Sequence, residues 1–219
     1  DLDPLRAEPD VTLELVHTGT PLPGAADLIL LPGSKAVLSD LATLRREGWD
    51  IDILAHHRRG GAVLGICGGY QMLGKRLADP NGIEGEPGET AGLGLLAIET
   101  TLAGAKTLIQ TQGTDLASGE AVRGYHMHVG VSSVDAAPML QLDAGPDGAV
   151  SADGCVRGCY LHGLFADDGF RHAFLDSLKR REASSVAYEA VIDETLDALA
   201  AHMEGHLAVD RLLEVACAT

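Results

Sequence analysis

Two apolar runs, Ala26-Asp-Leu-Ile-Leu-Leu31 and Ala62-Val-Leu-Gly-Ile66, constrain this chain more than any other feature, because each ends on a glycine-bearing turn and leads into a helical pattern. A strand that is apolar on successive residues has no wet face, as in a parallel sheet covered on both sides. After the first run, Leu38, Leu41 and Leu44 recur at three-residue spacing behind Ser34, a candidate N-cap, with Gly48 past the end. A second helix is predicted from about Ile51 to Arg59, and a third, after Cys67, from about Gly69 to Leu77. Strands alternating with helices at short connections predict an α/β fold: a doubly wound, mostly parallel central sheet with helices on both faces. Ligands of such sheets bind at the carboxyl ends of the strands. Gly33 and Cys67 lie at such ends.

Elsewhere, Val11 to Val16 alternates like a strand, and Asp79 to Glu89 has the composition of a surface loop. Leu93 to Thr101, Lys106 to Gln112, Gly124 to Val131 and Gly154 to Leu161 are predicted as shorter strands. Phe170 to Arg181 and Glu189 to Leu213 are predicted as helices. With 219 residues and no low-complexity stretch, residues 1–219 are expected to form a single domain. The chain begins without Met and almost directly on a strand-like segment, so it is expected to be a fragment of something longer.

The formal charge of −16 repels phosphate backbones and anionic lipid surfaces, which argues against nucleic acid or membrane as partners. No run approaches the roughly 18 to 20 apolar residues of a membrane span, and the first residues have no basic and apolar leader pattern, so a cytoplasmic location is expected. The four cysteines, Cys67, Cys155, Cys159 and Cys217, are few and irregularly spaced, and are expected to be reduced.

A cysteine flanked by small residues between a buried strand and a helix is what a nucleophile elbow requires. Glycines permit the sharp turn, and the amino end of the helix favours thiolate. A thiolate attacking a carboxamide forms a tetrahedral oxyanion that needs preorganised N–H donors. Gly68, directly after Cys67, and Gly33, at the end of the neighbouring strand, are placed to supply them. The alternative is that Cys67 is a small buried residue in a glycine-rich turn. Such a nucleophile also needs an acid and base, usually His. Among nine histidines, His162 stands out, because Cys159-Tyr-Leu161 reads as the end of a strand and Gly163 follows. By itself, however, a lone His in such a position is more often structural than catalytic.

Five segments together resemble class I glutamine amidotransferases, and within them the cobyric acid synthase and cobyrinate diamide synthase group. They are Asp1-Leu-Asp-Pro-Leu-Arg-Ala-Glu-Pro9, Leu30-Leu-Pro-Gly-Ser-Lys35, Gly65-Ile-Cys-Gly-Gly-Tyr-Gln-Met-Leu-Gly74, Gly92-Leu-Gly-Leu-Leu96 and Tyr160-Leu-His-Gly-Leu-Phe165. The opening segment and Ala208-Val-Asp-Arg-Leu-Leu213 are similar to the cobyric acid synthase side of the group. The resemblance implies a class I glutamine amidotransferase-like, flavodoxin-like fold that hydrolyses glutamine through a cysteinyl thioester. The ammonia would serve ATP-dependent amidation of corrinoid carboxylates in cobalamin biosynthesis. It implies Cys67 as nucleophile, His162 as acid and base, Gly33 and Gly68 as oxyanion donors, and Gln71, Tyr125 and His128 as contacts for glutamine. The partner it implies is an amino-terminal synthetase domain. ATP and magnesium would belong to that domain, the corrinoid would bind mainly outside this chain, and no cofactor would bind here. Glutaminases of other amidating ligases, of the cobyrinate diamide or peptidoglycan-amidating type, and a non-catalytic docking domain are the alternatives.

Two positions depart from the pattern. Leu164 stands where the wider superfamily has a Glu that orients the imidazole. This departure resembles the cobyric acid synthase group itself, which implies a Cys-His pair rather than a full triad, and it leaves Asp167, Asp168, a backbone carbonyl or water as candidates to orient His162. His126 stands where the group typically has Glu, and is read as a surface or packing residue. Gly69-Tyr-Gln-Met-Leu-Gly-Lys75 imitates a phosphate loop, but Arg76 replaces the Mg-binding hydroxyl and the glycines fall within the predicted helix. Cys155 and Cys159 lie on the opposite strand face from His162, so no metal site is read there. His56-His57 and His202 with His206 are read as exposed helix positions.

Overall fold

The computed structural model describes residues 1–104, 108–182 and 184–217. The chain forms two compact units, Asp1–Ser184 and Ser185–Thr219. The first unit opens with α1 (Asp3–Arg6), β1 (Leu28–Leu31), α2 (Val37–Arg46), α3 (Trp49–Arg58), β2 (Ala62–Ile66), α4 (Gly68–Met72), β3 (Arg76–Asp79), β4 (Gly88–Ala91) and β5 (Ile98–Thr101). It continues through β6 (Ile109–Asp115), β7 (Ala121–His126), β8 (Val131–Val134), β9 (Leu140–Leu142), β10 (Gly145–Asp147), β11 (Ala149–Val150), β12 (Val156–Cys159), β13 (Leu161–His162) and α5 (Asp168–Leu178). The second unit holds α6 (Tyr188–His206) and α7 (Val209–Cys217). No helix among the described residues is long and apolar enough to cross a membrane.

The two apolar runs form β1 and β2, which pair in parallel, and β12 joins β2 in parallel on its other side. Successive residues of a strand face opposite ways, so β2 feeds two cores. Val63 packs with Leu41, Leu44 and Ile53 of α2 and α3. Leu64 and Ile66 pack with Phe165, Phe170 and Phe174 at α5. Helices therefore cover both faces of this sheet, as expected for an α/β fold. Its parallel portion is smaller than predicted: β11 joins β12 antiparallel, a separate five-stranded sheet is wholly antiparallel, and β3–β5 is the remaining parallel pair. The short strands β9, β10 and β11 lie in a Gly- and Asp-rich stretch whose pattern did not reveal them.

Several local expectations are corrected. Val11 to Val16 is not a strand, since alternation supplies a face but no hydrogen-bonded neighbour. Ser34 does not cap α2, whose N-cap is Ala36; the amide of Val37 donates instead to Glu84 at 3.0 Å. The helix after Cys67 stops at Met72 rather than reaching Leu77. The loop at 94–96 takes its terminal carbonyls, with Leu95 and Leu96 amides donating to Leu73 and that of Gly94 to Gly74, while the Lys75 amide turns to Ile98. His56 is buried, with Nε2 at 3.0 Å from the Ala62 carbonyl. The predicted final helix is two helices, broken at Leu207, whose φ of −124° and ψ of 146° are extended. Of the strand expected over Lys106 to Gln112, residues 105–107 lie outside the described residues.

Candidate active site

Cys67 joins β2 to α4 with φ 53° and ψ −110°, the one positive φ at a non-glycine residue among those described. Such a conformation costs about 1–3 kcal/mol and persists only where its surroundings enforce it. The enforcement is local and tertiary. The Cys67 amide donates to the Cys159 carbonyl at 2.9 Å, and its carbonyl accepts from the Gln71 amide at 3.1 Å. A Cβ on Gly65 would come within 2.6 Å of the Tyr70 nitrogen, and one on Gly69 within 2.0 Å of the Leu31 carbonyl. These glycines, the second of them from the phosphate-loop imitation, let α4 settle onto β1 and β2. With five residues α4 has little macrodipole, so its first-turn N–H groups, not a long helix, provide the positive potential near the sulfur.

The parallel register pairs Leu31 with Gly65, which sets Pro32-Gly33 beside Ile66-Cys67. His162 reaches the same place from a different sheet. A Cβ on Gly33 would stand 3.1 Å from His162 Cε1 and 3.7 Å from Cys67 Cβ. Gly33, Cys67 and His162 thus meet at one point, at the carboxyl ends of β1 and β2. Gly68 is held against Ser34, where a Cβ would lie 2.7 Å from the Ser34 nitrogen.

His162 sits on β13, paired antiparallel with β7 so that it opposes Tyr125. Close approach there needs Gly124, since a Cβ on it would come within 1.8 Å of the His162 carbonyl. The Tyr125 and His162 rings stack with centroids 5.1 Å apart and 10° between planes. His162 Nδ1 lies 2.8 Å from Asp1 Oδ2, and the Gly163 amide donates to Asp1 Oδ1 at 2.7 Å. The orienting candidates weighed from sequence are engaged elsewhere: Asp167 caps α5 through the Gly169 amide, and Asp168 accepts from Arg171. Leu164 is wholly buried in the core.

The segment between β7 and β8 passes over the cysteine, with the Met127 carbonyl 3.7 Å from Cys67 Sγ. Gln71 is buried beneath it and donates from Nε2 to the Val129 carbonyl at 3.1 Å and to the Tyr160 hydroxyl at 3.2 Å. Tyr160 also shares a 2.6 Å hydrogen bond with Ser132, and its ring stacks on His128 at 3.8 Å. Burial pushes the Tyr160 hydroxyl up, so it remains a neutral donor and acceptor. Burial, helped by neighbouring His126 and opposed by Asp147, pushes His128 down. The His128 ring is therefore neutral at pH 7. His126 Nε2 is 3.4 Å from Asp147 Oδ2, an ion-pair distance without hydrogen-bond geometry.

All seven site residues singled out from sequence thus fall in one region. Asp1, Tyr160 and Ser132 were missed. A carboxylate 161 positions from the histidine it contacts leaves no spacing signal. Tyr160 lies between strands of two different sheets, which a single predicted strand through Leu161 concealed.

The model of the CobB/CobQ-like glutamine amidotransferase domain matches residues 1–170. A protein of Cereibacter sphaeroides named cobyric acid synthase is 53% identical over 99% of this chain and 45% of its own length. One of Methylobacterium nodulans with the same name is 55% identical over 99% of this chain and 45% of its own. The chain therefore spans less than half the length of these relatives. Among solved structures, a chain of PurLQS from Thermotoga maritima superposes with a TM-score of 0.57 at 21% identity, covering 81% of this chain and 91% of that one, which shows the fold.

Proposed function

The chain belongs to the CobB/CobQ-like glutamine amidotransferase family, and from that premise we propose that Cys67 and His162 hydrolyse glutamine to deliver ammonia to a cobyric acid synthase reaction. Cys67 Sγ attacks the side-chain carbonyl carbon of glutamine, and the oxyanion accepts N–H groups of Gly33 and Gly68. The intermediate collapses, His162 protonates the departing nitrogen, and ammonia leaves a glutamyl thioester. His162 then takes a proton from water, which attacks the thioester; glutamate departs and the thiol is regenerated. Gln71, Tyr125 and His128 line the glutamine pocket, with Gln71 acting from beneath by tying down the segment at Val129.

The single observation that carries the chemistry is the meeting of the strained Cys67, Gly33 and His162 at the strand ends. The acceptor is inferred from the relatives named cobyric acid synthase. The ammonia would serve amidation of corrinoid carboxylates by an ATP-dependent synthetase, and ATP and magnesium belong to that partner. Cys67→Ala in the enzyme with its full chain should abolish glutamine-dependent amidation and spare amidation with added ammonium. Equal loss of both activities would overturn the assignment. A glutamine analogue bearing an electrophile should label Cys67, and an unlabelled cysteine would leave only a docking module.

A further inference from the structure

We propose that Asp1 is the positioning residue for His162, so that the site works as a Cys67–His162–Asp1 array whose carboxylate is brought in by the first ten residues rather than by the strand that carries the histidine; this rests on the glutaminase reading above. Both oxygens of Asp1 are committed: Oδ2 lies 2.8 Å from His162 Nδ1 and Oδ1 accepts the Gly163 amide at 2.7 Å. The carboxylate is thus fixed in plane and angle, and its side chain is only 16% exposed. An acceptor at Nδ1 holds the proton there and leaves the Nε2 lone pair free. Nε2 faces the reaction centre, since a Cβ on Gly33 would be 3.9 Å from it. In the reaction Nε2 takes the thiol proton as the carbon–sulfur bond forms and returns it to the nitrogen as the carbon–nitrogen bond breaks. The Nδ1 proton stays in place and Asp1 stays ionised.

The position of Asp1 is itself determined by tertiary contacts. Leu5 is buried in the core at α5. Beyond it, Glu8 forms an ion pair with Arg171 in which neither side chain reaches solvent, and Arg181 reaches both Glu8 and Asp10. Residues 1–10 are therefore an anchored arm of the active site, although they contribute nothing to its sheets.

The test compares Asp1→Asn, Asp1→Glu and Cys67→Ala in the enzyme with its full chain. Asp1→Asn should lower kcat for glutamine hydrolysis by about a hundredfold or more, as loss of an orienting carboxylate does in serine proteases, with KM changed less than about threefold. Ammonium-dependent amidation and the melting temperature should hold, and Asp1→Glu should restore at least about tenfold of the loss. Retention of kcat within about threefold in Asp1→Asn overturns the proposal. Residual glutaminase in Cys67→Ala would instead overturn the reading on which it rests. Should Asp1→Asn fail to fold, nitrogen NMR of His162 in the unaltered enzyme decides: a neutral ring protonated at Nδ1 supports the proposal, and one protonated at Nε2 overturns it.

Discussion

Glu8 Oε1 accepts a 2.7 Å hydrogen bond from Arg171 Nε, and both side chains are completely shielded from solvent. Burial alone pushes the Glu8 carboxyl up, but hydrogen bonds from Arg171, Ser184 and Arg181 outweigh it and bring the group from 4.5 down to about 2. A depressed folded value means that the ionised group stabilises the fold above 4.5, and that this contribution is lost as pH falls towards 2. Stability measured by urea unfolding should therefore fall more steeply across that window in the unaltered protein than in Glu8→Gln. At pH 7 Glu8→Gln should be less stable by about 3 kcal/mol, because Arg171 is left buried with weaker compensation. Parallel pH curves for the two proteins would refute the role given to Glu8.

The positive φ of Cys67 predicts an unusual order of stabilities. Ala retains the strained backbone and Gly relieves it, so Cys67→Gly should exceed Cys67→Ala by about 1 kcal/mol despite the greater unfolded-state entropy of glycine. Chemical denaturation of both variants measures this directly, and an alanine variant of equal or higher stability would show that the turn carries no strain.

At Gly33 the prediction concerns catalysis more than folding. The added Cβ of Gly33→Ala would stand 3.1 Å from His162 Cε1, tighter than ordinary contact, and must displace the imidazole by a few tenths of an ångström. A fall in kcat of about tenfold to a hundredfold is expected, with little change in melting temperature. Gly68→Ala offers the contrast, since its Cβ would meet the Ser34 backbone nitrogen at 2.7 Å and should destabilise the fold as well.

Tyr160→Phe removes one hydroxyl that contacts both Gln71 and Ser132. Loss of this buried hydrogen bonding should cost about 1–2 kcal/mol. Because the segment at 127–130 is then held from below by the Gln71–Val129 bond with less support, KM for glutamine should rise severalfold while kcat changes less. Unchanged KM would separate the Tyr160 hydroxyl from the pocket.

The legible part of the site was local. A cysteine among glycines between an unbroken apolar strand and a helix start carries its geometry in consecutive residues, and Gly33 follows from the same reasoning one strand away. His162 stood out locally only as a histidine between a strand end and Gly163, and its role came from the resemblance carried by Tyr160 to Phe165; the structure gives Gly163 a φ of 81° at that end. The length of α4 was misread because the pattern from Gly69 to Leu77 does suit a helix; carbonyl capture by the loop at 94–96 is a tertiary contact. Ser34 failed as a cap for a similar reason, since Glu84, 47 positions ahead of Val37, took that role.

By itself the sequence determined which segments must be buried, and with them the α/β class, the turn that holds Cys67 and the residues able to approach it closely, because apolar periodicity and glycine are properties of neighbouring positions. Only the tertiary structure decided what completes the site. The antiparallel sheet that presents His162, the Gln71–Tyr160–Ser132 support and the carboxylate of Asp1 depend on chain segments far apart in sequence. Their meeting is governed by burial and hydrogen-bond geometry in three dimensions, of which local pattern holds no record.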